Sequence, residues 1–477
     1  MLIERQATAI ETREHRISQQ SLFALAVLAA AGLVYASILP VQYQTMPLAD
    51  AWQKFVDIPW LNLGLGRRAD WVANGLAIVP FGFLAAGACD TRGKSDTTFL
   101  CCLVAIMATG SLLTVGIEFL QVWFPIRTLS LNDIAAGITG AIVGPVLWLL
   151  VGRPLRRKTP RLHSSSIPTK NAVQLTSWLL AVYCFCLALY SMLPLDIMFR
   201  HEEWQAKAVA NRFEWAPYSV TFDITDTKSI ARTFFEILKS GITMIPAGAM
   251  AALALSKRHC ILLILVFPAL LEALQAPVFT RHTVYSDVLS GWMGGLVGVQ
   301  LVATRHLLAR LNQNFAVRLA LVAGITAAIL ALFLGGATEI RAASELAKTW
   351  ENFIAPPFAK YYFMDEFNAF SNALKKAIAF VVLGASLSNL LTKSKMEQGR
   401  VAETLRVAFA FTFVVLVSCG IEISQVYLKP FVGDASDILL YVSAACLGWV
   451  VHRRATRHVF FESNDPDALC TENLVQS

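Results

Sequence analysis

Apolar residues run through this chain in blocks of about 18–24, parted by short polar stretches. That is the length an α-helix needs to cross a hydrocarbon core of ~30 Å at a rise of 1.5 Å per residue. Such blocks fall at roughly 21–39, 71–88, 99–124, 132–151, 173–193, 233–255, 260–279, 286–303, 316–335, 369–391, 405–428 and 435–452. The pattern predicts an all-α polytopic membrane protein with about 12 transmembrane helices. The first block is too long for the core of a cleavable signal peptide. It ends in Leu39-Pro40 with no small-x-small site, so it is read as the first span.

Composition supports the pattern. Hydrophobic residues make up 56% of the chain and charged ones 15%, against about a quarter charged in soluble domains. The net charge of +7 does not mark a nucleic-acid partner, because its excess sits in short loops. These carry Arg153, Arg156, Arg157, Lys158, Arg161 and Lys170, then Lys257 and Arg258, Arg305 and Arg310, Lys393 and Lys395, and Arg453 and Arg454. With twelve spans all of them face one side. The Lys/Arg bias of short loops makes that side cytoplasmic, and an even count puts both termini there. The opposite side carries three longer segments, 40–70, 194–232 and 336–368, rich in aromatics and proline. Each has room for a short interfacial helix. The nine cysteines show no CxxC pair and no Cys/His spacing, so they read as small packing residues. No residue set points to a metal or a cofactor.

A repeat organises the chain. Three times Glu is followed at the third position by Gln and at the fifteenth by Asp: Glu118, Gln121 and Asp133; Glu272, Gln275 and Asp287; Glu422, Gln425 and Asp437. Nine residues after the glutamate stands Arg127 in the first copy, Arg281 in the second and Phe431 in the third. Upstream lie Phe55-x3-Pro59-Trp60, Phe213-x3-Pro217-Tyr218 and Phe353-x3-Pro357-Phe358. Pro80-Phe-Gly82 and Pro246-Ala-Gly248 have a degraded third copy in Val382-Leu-Gly384. Four helices per copy is an even number, so the copies are parallel repeats. The expected organisation is an N-terminal cytoplasmic segment 1–20, repeat one over 21–151, a basic loop 152–172 and repeat two over 173–303. A basic loop 304–315, a degenerate repeat three over 316–452 and a cytoplasmic tail 453–477 complete it.

Glu and Gln three apart share a helix face. A short outer turn then carries the Arg, and the Asp falls in the first turn of the next helix. Asp70 and Asn74 join this set in the first copy. Lys239 lies near the equivalent place in the second, and Lys375 and Lys376 do in the third. Ionisable groups in a membrane protein are costly and tend to pair. One reading is therefore a polar pocket opening outward, where Arg meets a phosphate or carboxylate and the acids accept hydrogen bonds from a headgroup. A second reading is structural. Ser130-x-x-Asp133 and Asp434-x-x-Asp437 have the form of helix N-caps, and a Glu–Arg pair can staple a hairpin. No serine, cysteine or histidine is placed as a nucleophile.

Taken together, Asp70-x3-Asn74-x5-Pro80-Phe-Gly82, Glu118-Phe-Leu-Gln121 and Arg127-Thr-x-Ser130-x-x-Asp133 resemble the VanZ-like family of bacterial membrane proteins. Ile58-Pro59-Trp60 is similar to that family's proline-aromatic element. The likeness is good in the first copy, fair in the second and weak in the third. It implies a four-helix membrane domain and a link to the cell envelope, since the founding member contributes to low-level glycopeptide (teicoplanin) resistance. It supplies no catalytic residue. Three copies in one chain depart from the usual single-unit member.

The leading expectation is a non-enzymatic protein of the bacterial cytoplasmic membrane whose partners are membrane lipids. It would bind, or help move, an anionic lipid-linked or glycan precursor at the outer face. One alternative is a membrane-embedded transferase or hydrolase acting on a lipid headgroup. The other is a structural scaffold.

Overall fold

Where backbone groups find no water, only their own helix satisfies them, and the apolar blocks of this chain do fold as helices. The computed structural model describes residues 2–90, 95–154, 169–214, 227–364, 366–391 and 400–462. Its first part holds α1 (Leu2–Ile38), α2 (Leu48–Val56), α3 (Leu65–Cys89), α4 (Asp96–Gln121) and α5 (Leu131–Leu147), the last continued by one wide turn, Trp148–Gly152. The middle part holds α6 (Thr169–Met192), α7 (His201–Val209), α8 (Thr227–Ala254), α9 (Lys257–Gln275), α10 (Tyr285–Ala303) and α11 (Arg305–Gln313). Then come α12 (Phe315–Leu334), α13 (Ala343–Phe353), α14 (Ala359–Tyr362), α15 (Glu366–Leu391), α16 (Arg400–Tyr427) and α17 (Ala435–Glu462). The only regular strands among the described residues are two-residue pieces, such as Glu339–Ile340 paired antiparallel with Leu428–Lys429.

Nine helices among the described residues are long and apolar enough to cross a membrane. The three further spans expected from the sequence all belong to the middle segment. Two of them are helices of 24 and 28 residues, α6 and α8, whose apolar stretches among the described side chains are Thr176–Met192 and Gly241–Ala254. In α10 all the inward residues but Val288 are serine or glycine: Ser286, Ser290, Gly291, Gly294, Gly295 and Gly298, a composition that packs well but lowers hydropathy. Residues 304–315, expected as a basic loop, contain α11. Most of the loop 152–172 and the tail beyond Glu462 lie outside the described residues.

The chain divides into two compact units. One comprises Met1–Leu162, Leu189–Phe213 and Ala273–Thr283, the other His163–Ala188, Glu214–Glu272 and Val284–Ser477. In the first, Phe99, Leu103, Ile106 and Trp148 form a core with Ala86. The second holds one core around Met244, Ala247 and Ile264 and another around Phe380, Leu383, Leu387 and Tyr441.

In each segment the second and fourth helices make the most extensive contact: α3 with α5, α8 with α10, α15 with α17. Glycine permits it. A methyl group on Gly140 would stand 1.9 Å from the Gly75 carbonyl oxygen, and one on Gly294 would stand 1.9 Å from that of Gly241. Backbones this close gain the dispersion contacts that replace a hydrophobic driving force inside lipid.

The segments 40–70, 194–232 and 336–368 carry short helices, α2, α7, α13 and α14. The proline-aromatic elements at Pro59 and Pro357 dock on the fourth helix, whereas Pro217-Tyr218 lies outside the described residues. Asn132 exchanges two hydrogen bonds with the backbone of Leu61, at 3.2 and 2.8 Å, and the Leu131 amide donates to the Pro59 carbonyl at 3.2 Å. In the C-terminal segment the Phe358 amide donates to Ser436 Oγ at 3.0 Å. Ser436 and Asn132 each stand fourteen residues after their glutamate. The Trp60 ring itself is exposed, as a headgroup-level anchor requires.

Candidate functional site

All three glutamates do one thing alike. Each carboxylate accepts a hydrogen bond from the backbone N–H twelve residues on, at the start of the fourth helix. Glu118 accepts from Ser130, Glu272 from Val284 at 3.0 Å and Glu422 from Asp434 at 2.8 Å. The first N–H groups of a helix have no partner within it and carry its positive dipole end. A carboxylate reaching back across the hairpin satisfies one of them. The glutamine one turn on turns to a different neighbour. Gln121 Nε2 donates to the Ser37 carbonyl at the end of α1, at 2.8 Å, and Gln425 Nε2 to the Phe333 carbonyl at the end of α12, at 3.2 Å. Glu and Gln thus tie the third helix to the fourth and to the first.

The aspartates face the second helix. The caps expected at Ser130 and Asp434 form, with side-chain oxygens accepting from Asn132 and Ser436 amides at 3.0 and 2.9 Å. The acids three residues later are engaged elsewhere. Asn74 Nδ2 donates to Asp133 Oδ1 at 2.7 Å. In the C-terminal segment Lys376 makes a buried ion pair with Asp437. Both donors stand eight residues before the glycine of their second helix, Gly82 and Gly384. The two segments therefore place different donors at one structural position.

In the N-terminal segment these bonds gather a mixed-charge cluster. Exposed Asp70 and half-buried Arg127 both act electrostatically on Asp133, and Arg127 and Asp133 both act on Glu118. Glu118 is 6% exposed, and its Oε2 is buried with no hydrogen-bond partner among the described residues. The cluster reaches the surface through Asp70.

The C-terminal counterpart is filled by its own side chains. Tyr441 OH donates to Glu422 Oε1 at 2.7 Å, with its ring stacked on Phe380 at 4.2 Å. Tyr361 OH donates to Asp437 Oδ1 at 2.6 Å, and Lys376 Nζ also reaches Tyr361 OH at 3.3 Å. Burial, and then the adjacent Asp437, push the Tyr361 phenol above its ordinary value, so it remains a donor. Lys360 is pushed down by burial and then by Lys376, and its ammonium donates to the Val432 carbonyl.

The middle quartet divides between the units: Glu272 and Asp287 fall in the second, Gln275 and Arg281 in the first. Arg281 donates to the Leu193 carbonyl at 2.7 Å and to that of Tyr190, closing the end of its first helix. Asp287 is half-buried in the first turn of α10. Lys239 lies in α8, but its side chain is outside the described residues. Where the third copy has Phe431 in place of arginine, another arginine serves the same turn. Arg341, from the segment 336–368, donates to the Val426 carbonyl at 3.0 Å and that of Leu428 at 3.3 Å.

The profile of the VanZ/LLP1 family matches residues 13–152 and 320–456, more than half of the chain. The chain belongs to the VanZ/LLP1 family. Two VanZ-like units are thereby shown, and they are the segments containing Glu118 and Glu422; the match does not extend to the stretch between them. No curated protein and no solved structure matches the chain.

In this VanZ-type protein the two matched units share a frame of Glu, Gln and Asp but differ in what fills it. The N-terminal unit offers a guanidinium, a carboxamide and carboxylates near the surface, a set suited to a ligand bearing both an anion and hydroxyl or amide donors. Sequence reasoning missed Tyr361, Tyr441 and Arg341. A signal existed for Tyr441. It stands nineteen residues after Glu422, where the other copies have Gly137 and Gly291. For Arg341 none existed, because its partners are backbone carbonyls, which no residue type announces.

Proposed function

We propose that this VanZ/LLP1 protein is built of three parallel four-helix repeats with twelve spans. We place it in the bacterial cytoplasmic membrane with both termini inside. On this reading its N-terminal unit binds, or helps move, an anionic lipid-linked or glycan precursor at the outer face, and glycopeptide resistance is one phenotype by which that is seen. The supporting observation is the contrast at one carboxylate: Glu118 Oε2 is buried and unpaired beside Arg127, Asp133 and Asn74, while Glu422 is fully engaged. Arg127 would take the anion, and the carboxylates would accept from hydroxyls or amides. The test is binding of radiolabelled polyprenyl-linked precursors to the purified chain. Arg127→Ala abolishes binding, and Asp437→Asn leaves it unchanged. Unaltered binding by Arg127→Ala would overturn the reading.

A scaffold reading is favoured by a separate observation, the three carboxylate-to-backbone bonds at the same interval of twelve residues. It expects Glu118→Ala and Arg127→Ala to lower thermal stability and to leave any phenotype intact once expression is matched.

A further inference from the structure

Helix α11 is a short amphipathic helix with an open apolar side. None of its residues is buried. Leu307, Leu308 and Leu311 are 57%, 42% and 47% exposed. At about 100° per residue these three fall within an arc of about 100°, and Arg305 and Arg310 lie about 100–115° to either side of its centre. Arginines at both borders of an apolar stripe can bury their stems and lift their charge clear.

The helix is held in place. Asn312 and Asn389, at the end of α15, exchange hydrogen bonds at 3.1 and 2.7 Å. Arg318, in the first turns of α12, donates to the Asn389 carbonyl at 3.0 Å. Asn312 lies on the Arg305 side of the helix, so this pairing leaves the leucine face free. Connectivity fixes its depth, since the span Phe315–Leu334 begins two residues after Gln313. A helix so close to a span lies at the headgroup layer. Its charge has one sign: no Asp or Glu occurs between Asp287 and Glu339.

We propose that α11 is an in-plane docking helix for anionic phospholipid. The leucines enter the acyl boundary, and Arg305 and Arg310 hold lipid phosphates. The occupant is lipid and not protein because the helix is continuous with a span and its charges match an anionic leaflet. This site is independent of the headgroup reading at Arg127.

The experiment reconstitutes the full chain in bilayers of phosphatidylglycerol and phosphatidylcholine in equal amounts. Native mass spectrometry then counts the lipids retained after extraction. The unaltered chain retains phosphatidylglycerol in preference. An arginine near an anionic surface contributes about fivefold in affinity, so Arg305→Gln with Arg310→Gln weakens retention about 25-fold. Lys257→Gln with Arg258→Gln, an equal charge change at another exposed turn, leaves it nearly unchanged. Equal retention of the two lipids would overturn the proposal. So would equal losses from the two double variants, which would make the effect one of net charge. A dimer dispersed by Leu307→Ser with Leu311→Ser but not by the arginine changes would assign the face to a second copy, and would also overturn it.

Discussion

The two units matched to the VanZ/LLP1 family give opposite answers to one problem: how to place a carboxylate at the start of a buried helix. In the C-terminal unit every oxygen of Glu422 and Asp437 meets a donor from Tyr441, Asp434, Tyr361 or Lys376. In the N-terminal unit Glu118 accepts from the Ser130 amide and Asp133 from Asn74, with Arg127 acting on both carboxylates. Asn74 stands in for Lys376, Gly137 takes the position of Tyr441, and one oxygen of Glu118 has no hydrogen-bond partner among the described residues. A fully satisfied polar network rigidifies and specifies its surroundings, whereas a partly satisfied one leaves free energy to be gained on binding. The unit with the poorer motif by sequence is thus the better completed structure, and the unit with the better motif is the one left open.

The largest effect is expected where that completion is greatest. Lys376→Ala leaves Asp437 buried without its ion-pair partner and costs about 3–5 kcal/mol, read as a fall in thermal unfolding temperature in detergent. Asn74→Ala, at the same structural position, removes a hydrogen bond in a half-buried site and costs about 1–3 kcal/mol. Equal losses would erase the distinction between the units. Gly140→Ala sets a methyl group against the Gly75 carbonyl and forces α3 and α5 apart, costing about 1–3 kcal/mol. The corresponding position of the C-terminal unit already holds Ala444, so a methyl group is tolerated there, and Ala444→Gly costs only the helix-propensity loss of about 1 kcal/mol in the same melt. Tyr441→Phe unpairs Glu422 Oε1 and gives the C-terminal unit the defect native to the other, at about 1–3 kcal/mol. A melt unaltered by that change would show that the pairing is immaterial.

The smallest effect belongs to an ion pair within the first compact unit. Arg68 holds Glu203 in a salt bridge at 3.0 Å, and this bond above all pushes the Glu203 carboxyl down from 4.5 to about 2. A lowered carboxylate value stabilises the fold above its unfolded value, and the benefit is lost as pH falls through the folded one. Acid titration followed by circular dichroism should show extra loss between about 4.5 and about 2 in the native chain. Glu203→Gln removes the difference in that window.

Much of the architecture was legible because lipid imposes one length on every span. The blocks at 99–124, 316–335 and 405–428 became α4, α12 and α16 almost unchanged. In the middle segment the expected blocks also lie on helices, α6, α8 and α10, although the glycines and serines that let α10 approach α8 dilute its apolar signal. At the site, the interval from Glu to Asp located the right helices, and Asp70, Asn74, Glu118, Arg127 and Asp133 do converge. What spacing did not reveal is direction. Glu118 and Gln121 share a helix, yet one reaches a backbone amide of α5's cap and the other a carbonyl of α1. Partners supplied by backbone leave no trace in residue identity.

The bond from each glutamate to the amide twelve residues on spans a single helical hairpin. A carboxyl on a lone helix entering lipid is a liability for insertion. Here its partner arrives with the very next turn of chain, before any distant helix has been made. Closing so short a loop loses little chain entropy. The helical hairpin, not the single helix, is therefore the natural unit of passage from the ribosome into the bilayer, and each hairpin brings the remedy for its own acid with it.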